Sequence, residues 1–293
     1  MRQGRVFSAG EFWSLTKESF QAWNDDYAPS MGAALAYYTA FSLAPLLILV
    51  IAVAGLAFGT QAARGEIVAQ LRGLLGEQGA RATEELLASA SKPASGAAAS
   101  AIGFVALLLG ATSVFAELQS DLDRIWRAPA IQQASGFVAL IRARVLSFGM
   151  VIAMGFLLLV SLVIGATLSA ADKWGSTVFP GGAVILQAVN LAVGFGITVV
   201  LFATAYRVLP RARVAWSDVW IGAIVTAALF TLGKYLIGLY MGLASVSSGF
   251  GAAGSLIAVL VWVYYSAQIF LLGAEFTWVF AHRKGSRVNQ PAV

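Results

Sequence analysis

From Ser255 to Phe280 the chain runs through 26 residues that carry one formal charge, Glu275. As a helix rising about 1.5 Å per residue, that stretch is about 39 Å long. The hydrocarbon core of a bilayer is about 30 Å thick, so the stretch crosses it with length to spare. An ionisable group inside such a span is costly, and by default it marks a functional or assembly site.

Long uncharged runs recur along the rest of the chain. Six spans are expected, at residues 32–59, 95–116, 145–171, 182–206, 219–243 and 251–280, and only the fifth and sixth contain a charge. Residues are 59% hydrophobic and 11% charged, against roughly 25% charged in soluble domains. A water-soluble fold is therefore excluded. A transmembrane barrel would show short alternating segments instead. The expected fold is all-α: a polytopic membrane protein of six transmembrane helices, with an amphipathic N-terminal helix and a helical outer loop. Its parts are an amphipathic segment at 1–31, the membrane domain at 32–281 and a basic tail at 282–293. The polar first 30 residues lack the apolar core of a cleaved signal peptide.

Lys and Arg set the expected orientation. Arg2, Arg5 and Lys17, then Arg124, Arg127, Arg142 and Arg144, then Arg207, Arg211 and Arg213, then Arg283, Lys284 and Arg287 fall on one side. The other side holds Arg64, Arg72, Arg81, Lys92, Lys173 and Lys234. The positive-inside rule places both termini in the cytoplasm. The same asymmetry explains the net charge of +5 without nucleic acid as a partner.

Two elements outside the spans stand out. Phe12, Trp13, Phe20, Trp23 and Tyr27 lie among charges between residues 7 and 27, as in a helix lying on the cytoplasmic surface. The loop 60–92 sets leucines among Glu and Arg, and one or two amphipathic helices are expected there.

Enzyme chemistry finds little support. There is no cysteine and a single histidine, His282, so neither a thiol site nor a polyhistidine metal centre can be built. A carboxylate-only magnesium site at Glu117, Asp121 and Asp123 is conceivable, but Arg124 and Arg127 follow closely and a charge-paired helix end is the simpler reading. With Arg207 these residues form an expected inner-face charge cluster: Glu117, Asp121, Asp123, Arg124 and Arg207. No cofactor is called for.

Polar groups in the spans are the remaining source of chemistry. Lys234 lies about 22 Å into span five, where it either snorkels to the outer interface or faces an outward cavity as a cation. Glu275 lies about 30 Å from Ser255, near the inner end of span six, with Arg207, Arg144 or Arg142 as candidate partners. It reads as a structural ion pair or as a gate or proton-coupled group. Gln268, Asn190, Ser42, Tyr37 and Tyr38 complete the candidate pathway. Pro45 frees a carbonyl near Phe41, which makes span one the candidate pathway-lining helix.

Several motifs carry a family resemblance. Span one reads Ala33-Ala34-Leu35-Ala36-Tyr37-Tyr38-Thr39-Ala40-Phe41-Ser42-Leu43-Ala44-Pro45. The end of span two gives Gly110-Ala111-Thr112, Val114-Phe115, Leu118-Gln119 and Ile125-Trp126. Span six contains Gly251-Ala252-Ala253-Gly254-Ser255, Trp262-Val263-Tyr264-Tyr265-Ser266-Ala267-Gln268 and Gly273-Ala274-Glu275-Phe276. The chain resembles the YihY/virulence factor BrkB family of bacterial inner-membrane proteins from about Trp23 to Ala281. It departs from the family pattern at Asp123, where Asn is usual, and at Phe250, where Tyr is common. The resemblance implies a protein of the kind labelled ribonuclease BN, serum-resistance factor or candidate lipid or envelope transporter. The expected function is a transporter or flippase of a lipid-like or anionic envelope component, with membrane lipids as partners and room for a homo-oligomer. The alternative is a non-transporting scaffold for envelope assembly.

Overall fold

A computed structural model describes residues 9–90, 97–128, 149, 182–243 and 252–288. Among the described residues every regular element is helical. The order is α1 (Ala9–Asp25), α2 (Ala28–Phe58), α3 (Thr60–Ala90), α4 (Ala97–Ile125), α5 (Gly182–Val208), α6 (Trp216–Leu243) and α7 (Ala252–Arg283). Among the described residues, four stretches are long and apolar enough to cross a membrane: Ala28–Ala52, Leu191–Val208, Trp216–Ile237 and Ile257–Arg283. These fall on expected spans one, four, five and six. The third, 145–171, lies outside the described residues. The second falls on α4, whose first half is described as backbone only, so the count of six is not reached.

Local chemistry explains the joints. Pro29 opens α2 in the first turn, where its missing N–H costs nothing. Pro45 sits within α2 without ending it. Gly59 then turns the chain with φ 82°, its N–H bonding to Gly55 O at 2.9 Å, and α3 begins at the next residue. The segment expected to hold one or two amphipathic helices is thus one continuous helix, packed along α2 and touching α6 and α7.

The main core lies where α2, α4, α5, α6 and α7 meet, around Trp126, Tyr206, Leu122, Leu271, Val214 and Met31. Small residues let α6 and α7 approach closely: Ala223 and Ala227 on one, Ala267 and Ala274 on the other, all buried. Apolar side chains such as Leu191, Val200, Ile224, Leu232 and Leu236 are exposed, as a lipid-facing surface requires.

Helix α1 lies across the end of α7. Leu15 packs with Phe276, Val279 and Phe280, and two ion pairs add to this contact, Glu18 with Arg283 at 2.6 Å and Glu11 with Lys284 at 2.7 Å. Its other face leaves Trp13 and Phe20 exposed, Trp13 being 71% exposed.

Asp218, in the first turn of α6, holds the tail. It accepts a bond from Ser286 Oγ at 2.6 Å and one from Ser286 N at 3.1 Å. Losing a buried acceptor of this kind costs about 1–3 kcal/mol. Asp218→Ala should therefore free residues 284–288, and limited trypsin digestion should cut after Lys284 or Arg287 several times faster than in the parent. An unchanged cleavage rate would mean that the tail is held by other contacts.

Candidate functional site

At the end of the bundle where α1 crosses α7, three chain segments converge. The first is the joint between α1 and α2. Asp26 N bonds to Ala22 O at 2.9 Å and extends the last turn of α1. Tyr27 then adopts the left-handed conformation, φ 59° and ψ 35°, and its carbonyl accepts from Ser30 N and Met31 N. The second is the exit from α4, where Arg127 has φ 46° and Ala128 N folds back to Asp123 O at 2.8 Å. Left-handed conformations cost a non-glycine residue about 1–2 kcal/mol. Tyr27 and Arg127 are the two such residues among those described. The third segment is the last part of α7, which brings in Glu275.

Glu275 is 1% exposed. The charges of Asp26, Arg127 and Asp25 act on its carboxyl. Its Oε1 has no hydrogen-bond partner, and neither does Asp26 Oδ2. Four other buried side-chain atoms among the described residues lack one: Trp23 Nε1, Asp121 Oδ2, Trp126 Nε1 and Gln268 Oε1. All six belong to residues 23–26, 121–126 and 268–275, the segments that form this end of the core. Unsatisfied buried polar atoms are rare in native folds, and their concentration here separates this region from the rest of the bundle.

Cations surround the site, lying over aromatic rings. Arg124 lies 5.8 Å from the Tyr27 ring centre, Arg127 5.1 Å from that of Trp278 and Arg287 5.1 Å from that of Trp126. Arg207 is directed elsewhere, donating to Val214 O and lying over Trp216. The expected pairing of Glu275 with Arg207 is corrected accordingly: Arg207 is engaged with Val214 and Trp216 instead. Arg142 and Arg144 lie outside the described residues.

The expected charge cluster divides in two. Asp121 is buried and interacts with Glu117 and Arg124; burial first, then the Glu117 charge, pushes its carboxyl up to about 7, against the pull of Arg124. Asp123 instead faces the 209–214 loop, accepting from Arg211 N at 2.6 Å and lying 3.5 Å from Arg211 Nε. Burial raises its carboxyl, and the Arg211 amide and charge oppose that rise. Gln119 Nε2 adds a bond to Leu209 O at 2.9 Å. The engagement of Asp123 with Arg211 splits the conceivable magnesium trio, and no group of three or more Asp, Glu or His among the described residues could hold a metal. His282 bonds through Nδ1 to Trp278 O at 2.8 Å.

The pathway candidates scatter. Lys234 is exposed, beside the exposed Tyr235 and Leu236, as a snorkelling lysine would be. Gln268 Nε2 donates to Ala28 O at 3.4 Å and so ties α7 to the start of α2. Tyr37 and Tyr38 are exposed and pack edge to face, with Phe41 against Tyr37. Ser42 is buried one turn before Pro45 and donates to Thr39 O at 3.4 Å. Asn190 lies on α5, with its side chain outside the description. The sequence reading missed Asp26, Trp23 and Trp126. Asp25-Asp26 looks like the solvated end of a surface helix; the one available signal was the helix break at Tyr27-Ala28-Pro29, which turns Asp26 toward the bundle.

Residues 19–292 match the family model described as virulence factor BrkB. The chain is 29% identical to a UPF0761 membrane protein of Pseudoalteromonas translucida over 254 residues, 86% of this chain and 81% of that protein. It is 31% identical to one of Alteromonas mediterranea over 180 residues, 61% of this chain and 58% of that protein. A UPF0761 membrane protein of Yersinia pestis is 28% identical over 193 residues, 66% of this chain and 63% of that one. The match thus spans less than two thirds of the length of several of these relatives. No solved structure matches the chain.

Proposed function

We propose that this chain, which belongs to the virulence factor BrkB family of membrane proteins, is a transporter or flippase-like protein of the bacterial inner membrane that moves an amphipathic or anionic envelope component. Membrane lipids are its immediate partners, and both termini face the cytoplasm, the side favoured by the Arg and Lys residues gathered at the α1–α7 end. The observation that carries the reading is Glu275. A carboxyl group buried in a membrane-crossing helix is costly, and a scaffold would be expected to neutralise it with a completed ion pair or to lack it. Here the charge of Asp26 acts on it and its Oε1 keeps no partner, the condition of a group whose occupancy changes during a working cycle.

Purified protein in liposomes containing a fluorescent lipid, with an impermeant quencher outside, tests this reading. Wild-type protein should speed exposure of inner-leaflet lipid, and Glu275→Gln should slow it at least ten-fold at equal protein content. Wild-type liposomes no faster than empty ones would overturn the transport reading. They would favour the scaffold, for which the exposed aromatic face of α1 (Trp13 and Phe20) is the docking surface.

A further inference from the structure

We infer that the exit of α4 and the folded-back tail form a binding site for the phosphate of an anionic phospholipid headgroup, held by Arg127 and Arg287 with Arg213 beside them. Two arginine–tryptophan contacts cross at this corner. Arg127, from α4, lies 5.1 Å from the ring centre of Trp278 on α7. Arg287, from the tail, lies 5.1 Å from that of Trp126, the residue before Arg127. The tail is drawn in by Arg287 N, which bonds to Ala281 O at 2.9 Å, and by Arg287 Nη2, which bonds to Arg213 O at 3.0 Å.

A guanidinium carries its N–H donors in one plane. A ring against its face steadies that plane and leaves the edge free to meet a phosphate in a bidentate pair. Arg127 and Arg213 are exposed and Arg287 is half-buried, and no described carboxylate forms an ion pair with any of the three. The neighbouring cations are committed: Arg211 to Asp123, Arg283 to Glu18 and Lys284 to Glu11. Asp218 is likewise taken, by Ser286. The charge of Arg127 also acts on the buried Glu275, but no ion pair joins the two.

The backbone supplies an independent observation. Ala128 N bonds to Asp123 O at 2.8 Å and Arg127 N to Arg124 O at 3.0 Å. These are the paired bonds of a helix ending that ordinarily takes glycine at its left-handed position. Arg127 occupies that position, with φ 46°. An arginine there costs the fold more than a glycine would, so the reason for it lies in the guanidinium and where it is held.

Depth selects a lipid as the occupant. Trp278 lies in the final turns of the membrane-crossing stretch Ile257–Arg283, so the guanidinium against it stands at headgroup level. Two further contacts mark the same level. Arg124 lies over Tyr27, just before Ala28–Ala52, and Arg207 over Trp216, where Leu191–Val208 ends and Trp216–Ile237 begins. Basic pockets between the ends of spans are where anionic headgroups settle. The site requires a membrane but no movement of lipid, so it stands apart from the transport reading.

Native mass spectrometry of the protein in neutral detergent, with equimolar phosphatidylglycerol and phosphatidylcholine added, tests the site. The parent should retain phosphatidylglycerol over phosphatidylcholine by about ten-fold or more. Arg127→Gly and Arg287→Gln should each cut that preference about five-fold, the effect of one such charge. Arg64→Gln, which removes the same charge at the opposite end of α2, should leave it unchanged. Arg127→Gly should also hold or raise the thermal midpoint, because glycine fits the left-handed position. Phosphatidylglycerol should raise the midpoint of the parent more than that of Arg287→Gln, a readout that needs no glycine variant. Equal retention of the two lipids, full retention by both site variants, or an equal loss in Arg64→Gln would overturn the site. A lower midpoint for Arg127→Gly would overturn the guanidinium as the reason for the arginine. Displacement of phosphatidylglycerol by millimolar inorganic phosphate would overturn the lipid as occupant. No transport is read in this experiment, so a failure of the liposome assay leaves its result untouched.

Discussion

Gly273→Ala should lower the thermal midpoint of the purified protein by roughly 5–10 °C, corresponding to about 2–5 kcal/mol. A methyl group there would stand 1.9 Å from Thr226 Oγ1 and 2.6 Å from the Tyr206 hydroxyl. Neither neighbour can withdraw cheaply. Tyr206 donates to Phe270 O at 2.7 Å and lies 3.0 Å from Thr226 Oγ1, which in turn bonds to Gly222 O at 2.7 Å. These bonds tie α5, α6 and α7 together inside the bundle, where no water is available to replace them. The methyl group must therefore push the helices apart or break the network, and either outcome leaves a buried hydroxyl or carbonyl unpaired. Adding Thr226→Ala should recover part of the loss by removing the closest atom. Gly194→Ala on α5, where an added methyl meets nothing within 4 Å, should be neutral or slightly stabilising. A Gly273→Ala protein as stable as its parent would rule out the close approach of α6 and α7.

That network was not legible in the sequence, and the reason is physical. Apolar length identifies a membrane helix, and four of the expected spans fall on helices long and apolar enough to cross a membrane. Helices α2, α5 and α6 are apolar almost all round, however, so periodicity does not say which side faces the bundle. Gly222 and Gly273 could be read as packing residues by type, but not matched to Thr277 and Thr226. Depth was readable: Glu275 lies toward the basic end, as counting residues along its span predicts. Its surroundings were not, because attraction between opposite charges suggested Arg207, which is engaged with Val214 and Trp216 instead. The single-residue turn at Gly59 was equally hidden, so nothing in the sequence showed that the one or two helices expected at 60–92 would be a single 31-residue helix folded back along α2. Asp123 showed the opposite limit. Its position among arginines suggested a charge-paired helix end, and it does meet an arginine, but Arg211 from a loop 88 residues away rather than Arg124 or Arg127 beside it.

Asp121→Asn should stabilise the protein above neutral pH by up to about 4 kcal/mol and have no effect near pH 4. The sign follows from proton counting. The Asp121 carboxyl ordinarily loses its proton near 3.8, and in the folded protein burial and Glu117 move that loss to about 7. Between those values the folded state holds a proton that the unfolded state has released, so stability falls as pH rises through the window. Below it the group is neutral in both states and contributes no penalty; above it the folded protein carries a buried carboxylate with an unpartnered oxygen. An asparagine never ionises and removes that slope. Glu117→Gln should narrow the window from the top, because it removes the charge that disfavours ionisation of Asp121, while Arg124→Gln should widen it. Thermal midpoints measured from pH 4 to pH 9 for the four proteins separate these cases. A pH slope that persisted in Asp121→Asn would assign the titration to another group. A lower midpoint for that variant at high pH would mean that the ionised carboxylate is paired in the folded protein, contrary to the geometry around α4.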